Sequence, residues 1–125
     1  MSDDLHQRGM RIRRKVVGDA HVDRAEKNKT VADEGFQRYI VESAWGSVWT
    51  GEAIDLRTRS LITIALLAGL GYHEELAMHI RATKNTGASL DEIKEALMHV
   101  AVYAGVPAAN SAFAILKRVL QESES

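Results

Sequence analysis

An all-α fold is the class this sequence predicts, on three observations. Apolar residues make up 46% of the 125 residues and recur at helical spacing, while no segment alternates with the period of two that a strand requires. A single proline and 6% aromatic residues supply little of the material of a β-sandwich. Glycines stand where the periodic segments stop, at positions 18, 71, 87 and 105. The length suits a single small helical domain of about six or seven helices joined by short turns.

Taken in order, residues 1–9 read as a flexible N-terminal tail and residues 10–121 as the folded domain. Met10, Ile12, Val16 and Val17 form a weak helical stripe that ends at Gly18. Asp19 then occupies an N-cap position ahead of AHVDRAEKN, a short charged helix with little to bury. Thr30 and Asp33 open a helix whose Phe36, Tyr39, Ile40 and Ala44 share one face. Gly46 and Gly51 make WGSVWTGEAID a loop carrying both tryptophans.

Asp55 is placed to cap LRTRSLITIALLAGLG, which from Ser60 onward is apolar on nearly every face. Such a helix is central to a core or covered by another subunit. HEELAMHIRATKNTG reads as one helix stopping at Gly87. Ser89 with Glu92 three residues later is a capping box that starts LDEIKEALMHVAVYAG. Pro107 suits the first turn of PAANSAFAILKRVLQ, where its missing N–H is not needed.

Composition excludes several functions. Sixteen Lys and Arg against seventeen Asp and Glu give a formal charge of −1, which removes the electrostatic case for nucleic acid or an anionic membrane. The absence of cysteine excludes disulfides, thiolate metal sites and thiol catalysis. The apolar run Leu61–Leu70 is shorter than the about 20 residues a membrane span takes. The opening MSDDLHQRG is acidic and polar, unlike a signal peptide, so a cytoplasmic protein is expected.

The sharpest polar pair is Glu75 with His79, four apart on one helix face. A carboxylate there can orient an imidazole for proton transfer, although on an anonymous helix such a pair is more often a solvated ion pair. His73-Glu74 followed by His79 lacks the spacing of a zinc-binding H-E-x-x-H. Arg57, Arg59 and Arg81 are candidate clamps for a carboxylate, or else charges at helix edges. Trp45 and Trp49 line a pocket or plug a core. In the small-residue run from Gly105 to Phe113, Asn110 needs hydrogen-bond partners. The basic cluster Arg11, Arg13, Arg14 and Lys15, followed by Asp19, Asp23 and Glu26, reads as a solvated face or an intersubunit pairing. Without a family context the residues define a helical, oligomeric protein with a Glu–His pair as the candidate site.

The segments GDAHVDRA (18–25), AWGSVW (44–49), DLRTRSLITIALLAGLG (55–71), ELAMHIRATKNTG (75–87) and AVYAGVPAANSAF (101–113) resemble the 4-carboxymuconolactone decarboxylases, from about Met10 to Leu120. The resemblance implies the all-α alkyl hydroperoxide reductase D-like fold, a homo-hexamer, and neither cofactor nor metal. It also implies decarboxylation of 4-carboxymuconolactone to the 3-oxoadipate enol-lactone in protocatechuate breakdown. On that reading His79 delivers a proton and Glu75 orients it, while Arg57, Arg59 and Arg81 hold a carboxylate or the lactone oxygen. Trp45 and Trp49 then form an apolar wall, with Tyr103 and Asn110 as polar edges. The superfamily's redox branch needs a C-x-x-C pair; aligned on His79, those positions are Tyr72 and Glu75, and the branch's upstream glutamate is Ser60. A thiol peroxidase is therefore disfavoured. A lyase or hydrolase acting on a different lactone acid, and a non-catalytic helical oligomer, are the rival readings.

Overall fold

The computed structural model describes residues 2–122 and is all-α, with no strand among the described residues. Its helices are α1 (Ser2–Val17), α2 (Asp19–Asn28), α3 (Glu34–Ile40), a π-helical segment (Val41–Val48), α4 (Leu56–Leu70), α5 (His73–Arg81), α6 (Thr83–Thr86), α7 (Leu90–Tyr103) and α8 (Val106–Glu122). The π-helical segment continues α3, and α6 continues α5 across Ala82. The described residues therefore make seven helical runs, within the six or seven expected. The chain divides into two compact units, one ending at Asp55 and the other beginning at Leu56.

In the first unit, three readings of the sequence are corrected. The tail expected over residues 1–9 is helical from Ser2, and Met1 lies outside the described residues. The physical reason is tertiary: α1 packs on the π-helical segment through Gly9 and Gly46. A Cβ at Gly9 would overlap Val41 O, and one at Gly46 would come within 2.7 Å of Leu5 O. Residues this close need glycine on both sides.

The loop expected around the tryptophans is helical through Val48. Trp49 N–H donates to Ala44 O at 2.9 Å, the five-residue spacing of a π-helix. Hydroxyls serve carbonyls along this run: Ser43 Oγ donates to Tyr39 O at 2.7 Å, Ser47 Oγ to Glu42 O at 2.9 Å, and Thr50 Oγ1 to Gly46 O at 2.7 Å. Glycine in a helix interior is unfavourable in isolation; here the close approach of α1 requires it.

The third correction is at the α1–α2 junction, where Gly18 rather than Asp19 is the N-cap of α2. Asp19 is instead the first helical residue, and with Asp23 it accepts Arg14 at 3.0 and 2.9 Å. The α3 helix forms as expected after Asp33, but it buries none of its residues, and Phe36 and Tyr39 stand exposed. The helical periodicity in this segment is real, yet its apolar stripe stays at the surface.

The second unit is built on side-chain packing. Ile64 and Ala68 of α4, Leu76, Ala77 and Ile80 of α5, Ile93, Leu97 and Val100 of α7, and Ala109, Ala112, Ile115, Leu116 and Val119 of α8 form one buried cluster. Each fully buried Leu or Ile contributes about 1.5–3 kcal/mol. The alanines bring the helix axes close. Direction follows from the ends: Arg57 pairs with Glu92 at the starts of α4 and α7, whereas Gly69 meets Ala104 at their finish. Arg81 pairs with Glu122 where α5 and α8 end. Thus α4 and α7 run in the same direction, and α5 and α8 come together at their C-terminal ends.

The capping box is present in full: Glu92 N–H donates to Ser89 Oγ at 3.1 Å, and Ser89 N–H to Glu92 Oε1 at 2.9 Å. Gly87 takes φ +87, the left-handed conformation that L side chains rarely adopt, and closes the preceding run. That run is not a single α-helix as expected but breaks at Ala82, where Thr83 Oγ1 donates back to Ile80 O at 2.6 Å. The α4 helix, expected to be central to a core or covered by another subunit, buries the face of Ser60, Ile64 and Ala68 within the chain. Ile62, Leu66 and Leu70 project outward. No helix among the described residues is long and apolar enough to cross a membrane.

Candidate active site

The candidate residues of the second unit sit on α4, α5, α7 and α8. On α5, Leu76, Ala77 and Ile80 face the core, and His79 is buried with them at 6% exposure. Glu75, one turn earlier, is exposed. The i,i+4 geometry thus places the imidazole inside and the carboxylate at the surface. A buried imidazole shielded from bulk water is suited to passing a proton at one chosen atom.

The three arginines differ in what they already hold. Arg57 donates to Glu92, whose other oxygen closes the capping box; the Ser89 backbone N–H, and then the Arg57 charge, hold the Glu92 carboxyl below the usual carboxylate range. Arg81 donates through Nε and Nη2 to the two oxygens of Glu122, each at 2.8 Å. That two-pronged pair raises the Arg81 guanidinium and lowers the Glu122 carboxyl. Arg81 also lines a cleft of about 410 Å³ with Ile80, Lys84, Leu90, Ile93 and Leu116, and His79 is not part of that lining. Positions 79 and 81 are two apart on a helix and project to different sides. Arg59 is half-buried on α4 next to Ser60.

Trp45 and Trp49 belong to the first unit, where both are buried and stack with ring centroids 4.9 Å apart and planes at 28°. Tyr103 is 80% exposed at the end of α7 and leans on His99, centroids 5.0 Å apart. Asn110 is exposed, so water can satisfy its amide. The structure therefore spreads the candidates over distinct surroundings and pairs Arg57 with Glu92 and Arg81 with Glu122.

Ser60 and Arg13 are among the buried polar groups that escaped the sequence reading as site features. Ser60 is fully enclosed on α4, and its hydroxyl has no hydrogen-bond partner among the described residues. A lone serine inside the apolar run RSLITIALL was the available signal. Arg13, read as part of a basic surface cluster, is instead buried in α1. Among the described residues no three His, Asp or Glu side chains converge in a way that would hold a metal ion.

Comparison with known proteins adds a lineage to this geometry. Residues 34–118 match the model of the carboxymuconolactone decarboxylase family. The chain is 40% identical over 123 residues to a 4-carboxymuconolactone decarboxylase of Acinetobacter baylyi, covering 98% of this chain and 92% of the relative. It is 35% identical over 125 residues to a nitrosuccinic acid decarboxylase of Metarhizium robertsii, covering 97% and 87%. An uncharacterised 15.0 kDa protein of Paracoccus denitrificans is 30% identical over 87 residues, covering 68% of this chain and 65% of that protein.

Proposed function

The chain belongs to the carboxymuconolactone decarboxylase family, and from that premise we propose that it converts 4-carboxymuconolactone to the 3-oxoadipate enol-lactone and carbon dioxide. The observation that carries this reading is the near end-to-end similarity to the Acinetobacter baylyi decarboxylase. The substrate is its own electron sink. As the C–C bond to the departing carboxylate breaks, its electron pair moves through the ring double bond onto the lactone carbonyl oxygen. A proton then adds to the α carbon of the resulting dienolate. The protein has to hold the remaining carboxylate, stabilise the developing oxyanion and supply that proton.

His79 is the proton donor in this scheme, with Glu75 at the surface to orient it. Arg57, Arg59 and Arg81 are the candidate clamps for the retained carboxylate, and for Arg57 and Arg81 a substrate carboxylate would have to compete with Glu92 and Glu122. The Metarhizium robertsii relative is named for a decarboxylation of related chemistry. Nitrosuccinic acid also carries two carboxyl groups, and its nitro group can accept the electron pair that a lactone carbonyl accepts. The reaction is assigned to the cytoplasm. The working form is a homo-oligomer, for which the outward apolar residues Ile62, Leu66 and Leu70 of α4 and Met98 and Val102 of α7 offer the surface.

The test is carbon dioxide release from 4-carboxymuconolactone generated in situ, with enol-lactone followed in parallel. His79→Ala should lower turnover by about 10²-fold or more, and unchanged turnover removes it from the mechanism. Arg59→Leu should chiefly raise KM if it is the clamp. No release from the lactone, with release from nitrosuccinic acid, would transfer the assignment to the second substrate.

A further inference from the structure

Among the described residues of the first unit Arg13 is the most enclosed charged one, at 8% exposure on α1. It lies one turn beyond Gly9, on the α1 face that also carries the buried Val16. No hydrogen bond or ion pair reaches its guanidinium from the described residues. The nearby charges are otherwise engaged. Glu26 acts on it from a distance, while the Glu26 carboxylate is bonded to Lys29 Nζ at 2.7 Å. Arg14 has taken Asp19 and Asp23. None of the Arg13 nitrogens is among the fully enclosed polar atoms that lack a partner, so its donors remain reachable.

A guanidinium withdrawn from water and left without an anion is unfavourable, and its planar fork presents donors matched to a carboxylate. We propose that Arg13 is a binding site for a small monocarboxylate anion, separate from the decarboxylation chemistry assigned to the second unit. A single negative charge fits better than two, because Glu26 repels the second. The bound carboxylate completes the hydrogen bonding of a group that has no partner among the described residues, and it stabilises the folded chain in proportion to its occupancy.

The experiment is thermal unfolding of the full chain at fixed protein concentration and constant ionic strength, with chloride replaced by acetate or by phosphate. Acetate should raise Tm of the wild type by about 3 °C or more, and phosphate should raise it less. Arg13→Met should unfold at higher temperature than the wild type in chloride and show no acetate response. Arg13→Lys should keep a reduced response, and Arg59→Leu the full one. A wild type indifferent to acetate, an Arg13→Met variant that still responds, or a larger effect of phosphate would each overturn the assignment. Should Arg13→Met not fold, the Nε–Hε NMR signal of Arg13 in the wild type decides: a saturable shift with acetate supports the site, and an unmoved signal refutes it.

Discussion

In the second unit the helices meet through side chains, with Leu97 of α7 fully enclosed within a cluster drawn from α4, α5, α7 and α8. In the first unit α1 meets the π-helical segment through backbone, with Gly9 against Val41 O and Gly46 against Leu5 O. The contrast teaches where each unit tolerates change. A side-chain core fails when volume is removed, because the neighbours relax only partly around a cavity. A backbone contact fails when volume is added, because a carbonyl cannot step aside as a rotamer can. The tryptophans allow the units to be followed separately. Both Trp residues of the chain are in the first unit, so their fluorescence reports on it, while circular dichroism reports on all the helices.

The largest effect should come from Leu97→Ala, a loss of about 2–5 kcal/mol, read as an earlier urea transition in circular dichroism. Gly9→Ala should follow at about 1–3 kcal/mol and be seen first in tryptophan fluorescence. Equal shifts of both signals by both variants would erase the distinction between the units. Ser89→Ala removes the cap of α7 and should cost about 1 kcal/mol in the same circular dichroism transition. Gly35→Ala sharpens the comparison by reversing the sign. Its Cβ meets nothing within 4 Å, so the substitution should stabilise α3 by about 0.5–1 kcal/mol.

The smallest effect concerns acid. The carboxyls of Glu92 and Glu122 are held below the usual range in the folded chain. Their stabilisation is therefore complete above the unfolded-state value and disappears as pH falls through the lowered folded values. The urea midpoint should drop between about pH 6 and about pH 3, and Glu122→Gln should show a shallower drop. Both carboxylates are near the surface, where solvent screens such pairs, so the change should be modest.

Legibility followed the range of the interactions. Ser89 and Glu92 were readable because a capping box involves three residues of spacing and no distant partner. Gly87 and Pro107 were readable for the same local reason. The segment from Trp45 to Trp49 misled because its glycine reads locally as a helix stop, whereas α1 uses that glycine as a contact. At the candidate site, the four-residue spacing of Glu75 and His79 was visible, but their unequal burial was not. The occupation of Arg57 and Arg81 was also out of reach, since their partners lie 35 and 41 residues away.

By itself, then, the sequence determined the helical class, the capping box and glycine stop that bound the helices around residues 87–92, and the family to which the chain belongs, because propensity, capping and motif order are properties of neighbouring residues. The tertiary structure alone decided that residues 2–9 are helical, that the tryptophans ride on a π-helix, which arginines are neutralised and that Arg13 is enclosed. Each of those outcomes depends on what another helix brings to within a few ångströms. The free energy of burying or pairing a group is set by that approach and not by the residues beside it in the chain.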